Sequence, residues 1–126
     1  MLLSRRVRVF ARSGPTDLRL GFSGLAGLVS AELGQDLLAG DLFLFVSRRR
    51  ESAKMLCWDG TGLCLYTKKL AKGRFAAVWE RSRGGAVTLS AGELSLFLEG
   101  AALPVGPAAA HSKKGGLKGA KGGRSG

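Results

Sequence analysis

One short segment constrains this chain more than any other. Asp59-Gly60-Thr61-Gly62 lies between two apolar-rich runs, Ala53 to Trp58 and Leu63 to Thr67. Glycine supplies the positive φ angles of a tight reversal, so the two runs are predicted to form an antiparallel hairpin. Closing the turn on Asp59 and Gly62 fixes the register. Trp58 pairs with Leu63, Cys57 with Cys64, Leu56 with Leu65 and Met55 with Tyr66. Side chains alternate across a strand. Leu56, Trp58, Leu63 and Leu65 therefore share one face, and Met55, Cys57, Cys64 and Tyr66 the other. Both faces are apolar: either both are covered, or one is an interaction surface. Cys57 and Cys64 stand opposite each other with Cβ atoms about 5 Å apart. That spacing makes a disulfide geometrically conceivable, but a reducing cytosol favours two free thiols.

The flanking sequence supplies the other elements. Arg6 to Arg12 alternates with period two, Val7, Val9 and Ala11 against Arg6, Arg8 and Arg12, which predicts a half-buried strand ending at Gly14-Pro15. Thr16 or Asp17 is suited to cap a following helix. Leu18, Phe22, Leu25, Val29 and Leu33 recur at helical spacing and form its buried face, with Gly34 as its stop. Gly21, Gly24 and Gly27 fall inside this helix. Either the apolar face holds the helix despite them, or they form a smooth strip for another chain. Leu42 to Val46 reads as a central strand, and Ser47 to Ser52 as the turn after it. Phe75 to Trp79 reads as a further strand, Arg81 to Gly85 as its turn, and Ala86 to Leu89 as the return. Ser90-Ala91-Gly92-Glu93 is a capping box for a last helix whose buried face is Leu94, Phe97 and Leu98, ended by Gly100. The predicted fold is α+β: an antiparallel meander of hairpins with one N-terminal and one C-terminal helix packed on the sheet.

Charge comes next. The 126 residues hold 20 Lys+Arg against 9 Asp+Glu, a formal net charge of +11. Residues 111–126 carry five of the basic residues, six glycines and no acid, so they read as a flexible basic tail behind a linker at 104–110. The domain is expected to span 1–103, and 104–126 to be linker and disordered tail. The excess that remains in the first 110 residues is +6, so the folded part is basic too. Such a surplus points to a polyanionic partner. Arg48, Arg49, Arg50 and Lys54 gather at one hairpin, and Lys68, Lys69, Lys72 and Arg74 follow the next strand. Arginines at hairpin tips suit bidentate phosphate contact.

Other chemistries find little support. The one histidine, His111, lies in the tail, so no Ser-His-Asp triad is available. Two cysteines and a tail histidine do not make a zinc site. No phosphate-binding GxxxxGK[ST] loop is present. The carboxylates are scattered, which leaves a small metal-dependent nuclease as the weakest of the readings. No apolar stretch has signal-peptide or membrane-span length, which predicts a soluble, intracellular protein. No catalytic residue, metal, cofactor or small-molecule substrate is expected.

Several motifs together carry a resemblance. They are Pro15-Thr16-Asp17-Leu18-Arg19; Gly24-Leu25-Ala26-Gly27-Leu28-Val29; Asp41 through Arg50; Lys54 through Tyr66; Lys68-Lys69-Leu70-Ala71-Lys72-Gly73-Arg74-Phe75; and Leu89 through Leu94. In this order they resemble the TnpB-type accessory protein of the bacterial insertion-sequence sixty-six family, over about residues 5 to 103. The resemblance implies a small non-enzymatic protein, cytoplasmic and nucleoid-associated in a bacterium. It would work in DNA transposition beside a DDE-type transposase, binding element DNA, the transposase or both. Arg48, Arg49, Arg50, Lys54, Lys68, Lys69, Lys72 and Arg74 are then the candidate DNA contacts. Asp17 and Arg19 are candidates for an internal pair or a partner contact, and Met55 and Tyr66 are candidate partner contacts. The alternative is a pure protein-interaction subunit that uses the Met55–Tyr66 face. The oligomeric state is left open.

Overall fold

A computed structural model of the chain describes residues 7–81 and 86–103. Arg6, the first residue of the expected N-terminal strand, the turn at 82–85, the linker and the basic tail lie outside the described residues.

The fold is α+β, with a five-stranded mixed sheet and two helices. The strands are β1 (Val9–Arg12), β2 (Leu42–Val46), β3 (Ser52–Trp58), β4 (Leu63–Lys69) and β5 (Ala86–Leu89). The helices are α1 (Phe22–Ala31), between β1 and β2, and α2 (Ala91–Leu98), after β5. Spatial order is β4-β3-β2-β1-β5. The β3–β4 hairpin has the register that its turn dictates: Met55 faces Tyr66, Leu56 Leu65, Cys57 Cys64 and Trp58 Leu63. The Asp59 carboxylate accepts the N–H groups of Thr61 and Gly62 at 2.9 Å, and Gly60 takes φ +105°. β2 and β3 form the second hairpin, from Leu42 opposite Cys57 to Val46 opposite Ala53.

The sheet is not a pure antiparallel meander. β1 runs parallel to β2, with Val9, Phe10 and Ala11 beside Leu42, Phe43 and Leu44. Residues 13–41, which include α1, join the two strands. A crossover of that length is what parallel neighbours require. The other neighbour of β1 is β5, antiparallel, with Val9 opposite Leu89.

Phe75 to Trp79 is not a strand either. Phe75 gives its N–H to the Arg50 carbonyl at 2.6 Å, and Val78–Arg81 closes a 3-10 turn. Phe75 and Val78, three residues apart, are both fully buried. Short apolar runs do not by themselves distinguish strand from turn of helix. Here β5 already has its partner in β1, so nothing calls for another strand.

Apolar residues cover both sides of β1 and β2, which explains the unbroken run Leu42–Val46. Val9, Ala11, Leu44 and Val46 cluster with Phe75, Val78, Val87, Leu89 and Phe97 of α2. Phe10, Phe43, Phe45 and Leu56 cluster with Leu25, Val29 and Leu33 from and just beyond α1. Phe75 stacks on Phe97 with ring centroids 4.7 Å apart, and Phe10 on Phe43 at 5.8 Å. Each of these buried side chains contributes about 1.5–3 kcal/mol. Asp41 is fully buried just before β2. Its carboxylate accepts the Arg8 backbone N–H at 3.0 Å and the Arg8 guanidinium at 2.9 Å, which ties the start of the parallel pair together.

α1 starts later than the apolar spacing predicts. Its N-cap is Gly21, with no side-chain cap, and Phe22 is 47% exposed. Thr16 and Asp17 do not cap it. The Thr16 N–H goes to the Val46 carbonyl, while Asp17 closes a turn by accepting the Arg19 N–H. Those bonds hold Pro15–Leu18 at the end of the sheet. Gly34, at φ +62°, ends the helix region as expected. α2 has its capping box: the Ser90 hydroxyl accepts the Glu93 N–H at 3.1 Å, and the Ser90 N–H donates to the Glu93 carboxylate at 2.8 Å.

Candidate nucleic-acid interface

Two motifs far apart in sequence meet at one end of the sheet. The first is the loop Pro15–Arg19, held from three directions. Arg12 donates to the Pro15 carbonyl and the Thr16 hydroxyl while forking onto Glu32 at 2.8 and 3.2 Å. Thr16 is bonded to Val46 at 2.8 Å. The Lys54 ammonium donates to the Leu18 carbonyl at 2.7 Å. The second motif is the β2–β3 turn. Arg50 N–H donates to the Ser47 carbonyl at 2.9 Å, and Ser47 N–H to the Ser52 carbonyl at 3.0 Å. This leaves Arg48 and Arg49 exposed at the tip.

The two motifs and Lys69, at the end of β4, surround an open depression of about 580 Å³. Its charged lining is Arg48, Arg49 and Lys69 with the acids Asp17 and Glu51. Asp17 is paired with Arg19 at 2.9 Å, and the Arg19 side chain is 91% exposed. The Arg19 guanidinium, followed by the Arg19 backbone N–H, holds the Asp17 carboxyl down at about 2. Asp17 therefore stays ionised and offsets part of the local positive charge. A convex arginine tip beside an exposed lysine is suited to straddle phosphates.

The remaining candidates divide. Lys68 points to the opposite face of β4, where its ammonium donates to the Leu98 carbonyl at 2.6 Å. Lys54 is engaged by Leu18, as above. Arg50 turns away from Arg48 and Arg49, and its guanidinium donates to the Phe75 carbonyl at 3.3 Å. Arg74 is exposed and lines a second cavity with Arg50 and Arg81. Lys72 is exposed on the Ala71–Arg74 loop. Leu70 N–H donates to the Glu51 carbonyl at 2.9 Å, which fastens the end of β4 to the hairpin tip.

On the other face, Met55 packs partly into the core, while its partner Tyr66 is 49% exposed. Cys57 and Cys64 are free thiols. The Cys64 thiol donates to the Asp59 carboxylate at 3.4 Å, and that bond, with burial and the Asp59 charge, pushes the thiol up. No group of three or more His, Cys, Asp or Glu able to hold a metal occurs among the described residues. No helix among them is long and apolar enough to cross a membrane.

Spacing gave no sign of two contributors. Arg12 reads as an outward strand residue, yet it anchors the Pro15–Thr16 loop. Arg81 reads as a solvated turn residue, yet its side chain is only 10% exposed and bonded to Glu93 at 2.7 Å.

The family model described as IS66 Orf2 like protein matches residues 7–105. A Sinorhizobium fredii (strain NBRC 101917 / NGR234) protein, "Uncharacterized protein y4hO", is 43% identical over 96 residues, covering 76% of this chain and 82% of that protein. A second protein of the same strain, "Uncharacterized protein y4jC", is 36% identical over 97 residues, covering 77% and 81%. No solved structure matches. The family match spans the whole described sheet and both helices, so the chain belongs to the IS66 Orf2-like family.

Proposed function

We propose that the chain is a transposition accessory protein that binds element DNA through the Pro15–Arg19 loop, the Arg48–Arg49 tip and Lys69. Membership of the IS66 Orf2-like family supports the transposition part. The observation that carries the DNA part is the convergence of Arg48, Arg49 and Lys69 on one open depression. Exposed Lys72 extends the surface, and the basic residues of 111–126 add attraction without sequence preference. Lys54, Lys68 and Arg50 each give a donor to a backbone carbonyl, so they shape the surface more than they read DNA. The strand-transfer chemistry belongs to the partner transposase.

A gel-shift titration at low salt tests this. The wild-type chain is expected to retard a duplex carrying the terminal sequence of its own element, and the double change Arg48→Glu, Arg49→Glu to abolish the shift. Absence of any wild-type shift refutes direct DNA contact. Unchanged binding by the double variant refutes the site. A pure protein-interaction subunit is the second reading, favoured by half-exposed Tyr66 on the edge strand β4. It predicts co-purification with the transposase that survives nuclease and high salt.

A further inference from the structure

The second cavity, about 510 Å³, lies on the other side of the Arg50 turn from the Arg48–Arg49 tip. Three arginines, Arg50, Arg74 and Arg81, and one acid, Glu80, line it; the rest of the lining is mostly alanine, with Phe75 and Leu103. Arg81 is nine-tenths buried. Its Nη2 is paired with Glu93 at 2.7 Å, while its Nη1 has no hydrogen-bond partner. Buried donors are normally satisfied, and this one belongs to a residue that lines the cavity. Arg50 spends one of its five donors on the Phe75 carbonyl. Arg50 also sits at φ +61°, where a side chain other than glycine or asparagine is uncommon.

We infer that this cavity is a docking pocket for a short acidic segment of a protein partner, with a carboxylate between the arginines and an apolar side chain against the alanines. This deepens the partner half of the proposed function and rests on that reading. Arginine forks match carboxylates bidentately. The alanine and leucine lining offers burial to peptide side chains, and a phosphodiester backbone has nothing apolar to place there. The surface therefore divides: the Arg48–Arg49 tip and the depression beside it face DNA, and the arginine pocket with its alanine lining faces protein.

The test is fluorescence anisotropy with the full chain at about 0.15 M salt. The probes are the labelled peptide acetyl-LELEL-amide, its neutral counterpart acetyl-LQLQL-amide, and a labelled duplex. The acidic peptide is expected to bind saturably and at least about tenfold tighter than the neutral one, the worth of a charge-assisted bond. Arg74 is exposed, so Arg74→Ala keeps the fold; it weakens peptide binding about tenfold while leaving duplex binding within about twofold. The double change Arg48→Ala, Arg49→Ala removes more charge yet leaves peptide binding intact. Equal binding of the two peptides overturns the pocket. So does a larger peptide loss from the tip variant than from Arg74→Ala, which would mean diffuse charge. A tenfold duplex loss from Arg74→Ala assigns the pocket to nucleic acid and also overturns it. Peptide binding without any duplex binding refutes the DNA reading alone and leaves the pocket standing.

Discussion

Arg50 and Phe75 hold each other by both ends. The Phe75 N–H donates to the Arg50 carbonyl at 2.6 Å, and the Arg50 guanidinium donates back to the Phe75 carbonyl at 3.3 Å. This pair of hydrogen bonds clamps the β2–β3 turn to the segment after β4. It also separates the two basic surfaces, because it draws Arg50 out of the run that it shares with Arg48 and Arg49. The left-handed backbone at Arg50, φ +61°, accompanies the turn that makes the clamp.

The clamp predicts an inverted order of substitutions at Arg50. Arg50→Ala keeps the unfavourable φ and loses the side-chain bond, so it destabilises by about 1–2 kcal/mol. Arg50→Gly loses the same bond but relieves the backbone, and it should be more stable than the alanine variant by about 0.5–1 kcal/mol. Urea unfolding of the two variants measures the difference. Alanine at least as stable as glycine would mean that the backbone at Arg50 carries no strain.

The glycines of α1 should respond in opposite ways. A Cβ added at Gly27 meets nothing within 4 Å, so Gly27→Ala should stabilise by about 0.5–1 kcal/mol through helix propensity. A Cβ at Gly24 would lie 2.8 Å from Leu20 Cδ2 and 3.1 Å from its Cβ. Leu20 packs against the α1 cluster, so Gly24→Ala forces it to shift and forfeits that gain. Thermal unfolding of each variant decides. Gly24 is thus occupied by its own chain, while Gly21 and Gly27 face open space.

Features set by local chemistry were legible in the sequence; features set by distant partners were not. The β3–β4 register followed from four turn residues, and the Ser90–Glu93 box from its spacing. The pairing of β1 with β2 was hidden, because it depends on where a connection of some thirty residues returns the chain. Phe75 to Trp79 misread as a strand because a five-residue apolar run has no period of its own. Arg48 and Arg49 were visible as neighbours, but that Lys69 and Asp17 join them required the sheet. Lys54 and Lys68 read as surface cations; the carbonyls that engage them, Leu18 and Leu98, lie 36 and 30 residues away.

Acid should unfold the chain through its turns and caps. The Asp59 carboxyl is held down from 3.8 to about 2, first by the Thr61 N–H and then by the Gly62 N–H. Glu93 is lowered too, chiefly by the Ser90 N–H and then by Arg81, against an opposing cost of burial. A depressed carboxylate stabilises the fold above its ordinary value and loses that stabilisation as pH falls through its folded value. Tm should therefore decline between about pH 4 and about pH 2. Asp59→Asn keeps an acceptor for the turn but cannot titrate, so its decline should be shallower. Circular dichroism melts across that range test it, and identical pH profiles for wild type and variant would remove Asp59 from the explanation.

Salt dependence should count the DNA contacts. Each phosphate neutralised adds about −0.9 to the slope of log K against log salt. Replacing Arg48 and Arg49 with alanine should therefore make the slope shallower by about 2, and replacing Lys69 by about 1. Lys68→Ala should leave the slope nearly unchanged, since its ammonium is engaged at Leu98 on the other face of β4. Removing residues 111–126, which hold five basic residues, should weaken binding to element-end and unrelated duplexes alike and leave their ratio unchanged. Gel-shift titrations at several salt concentrations give all four slopes. A Lys68→Ala change as large as that of Lys69→Ala would move the interface to the opposite face of the sheet.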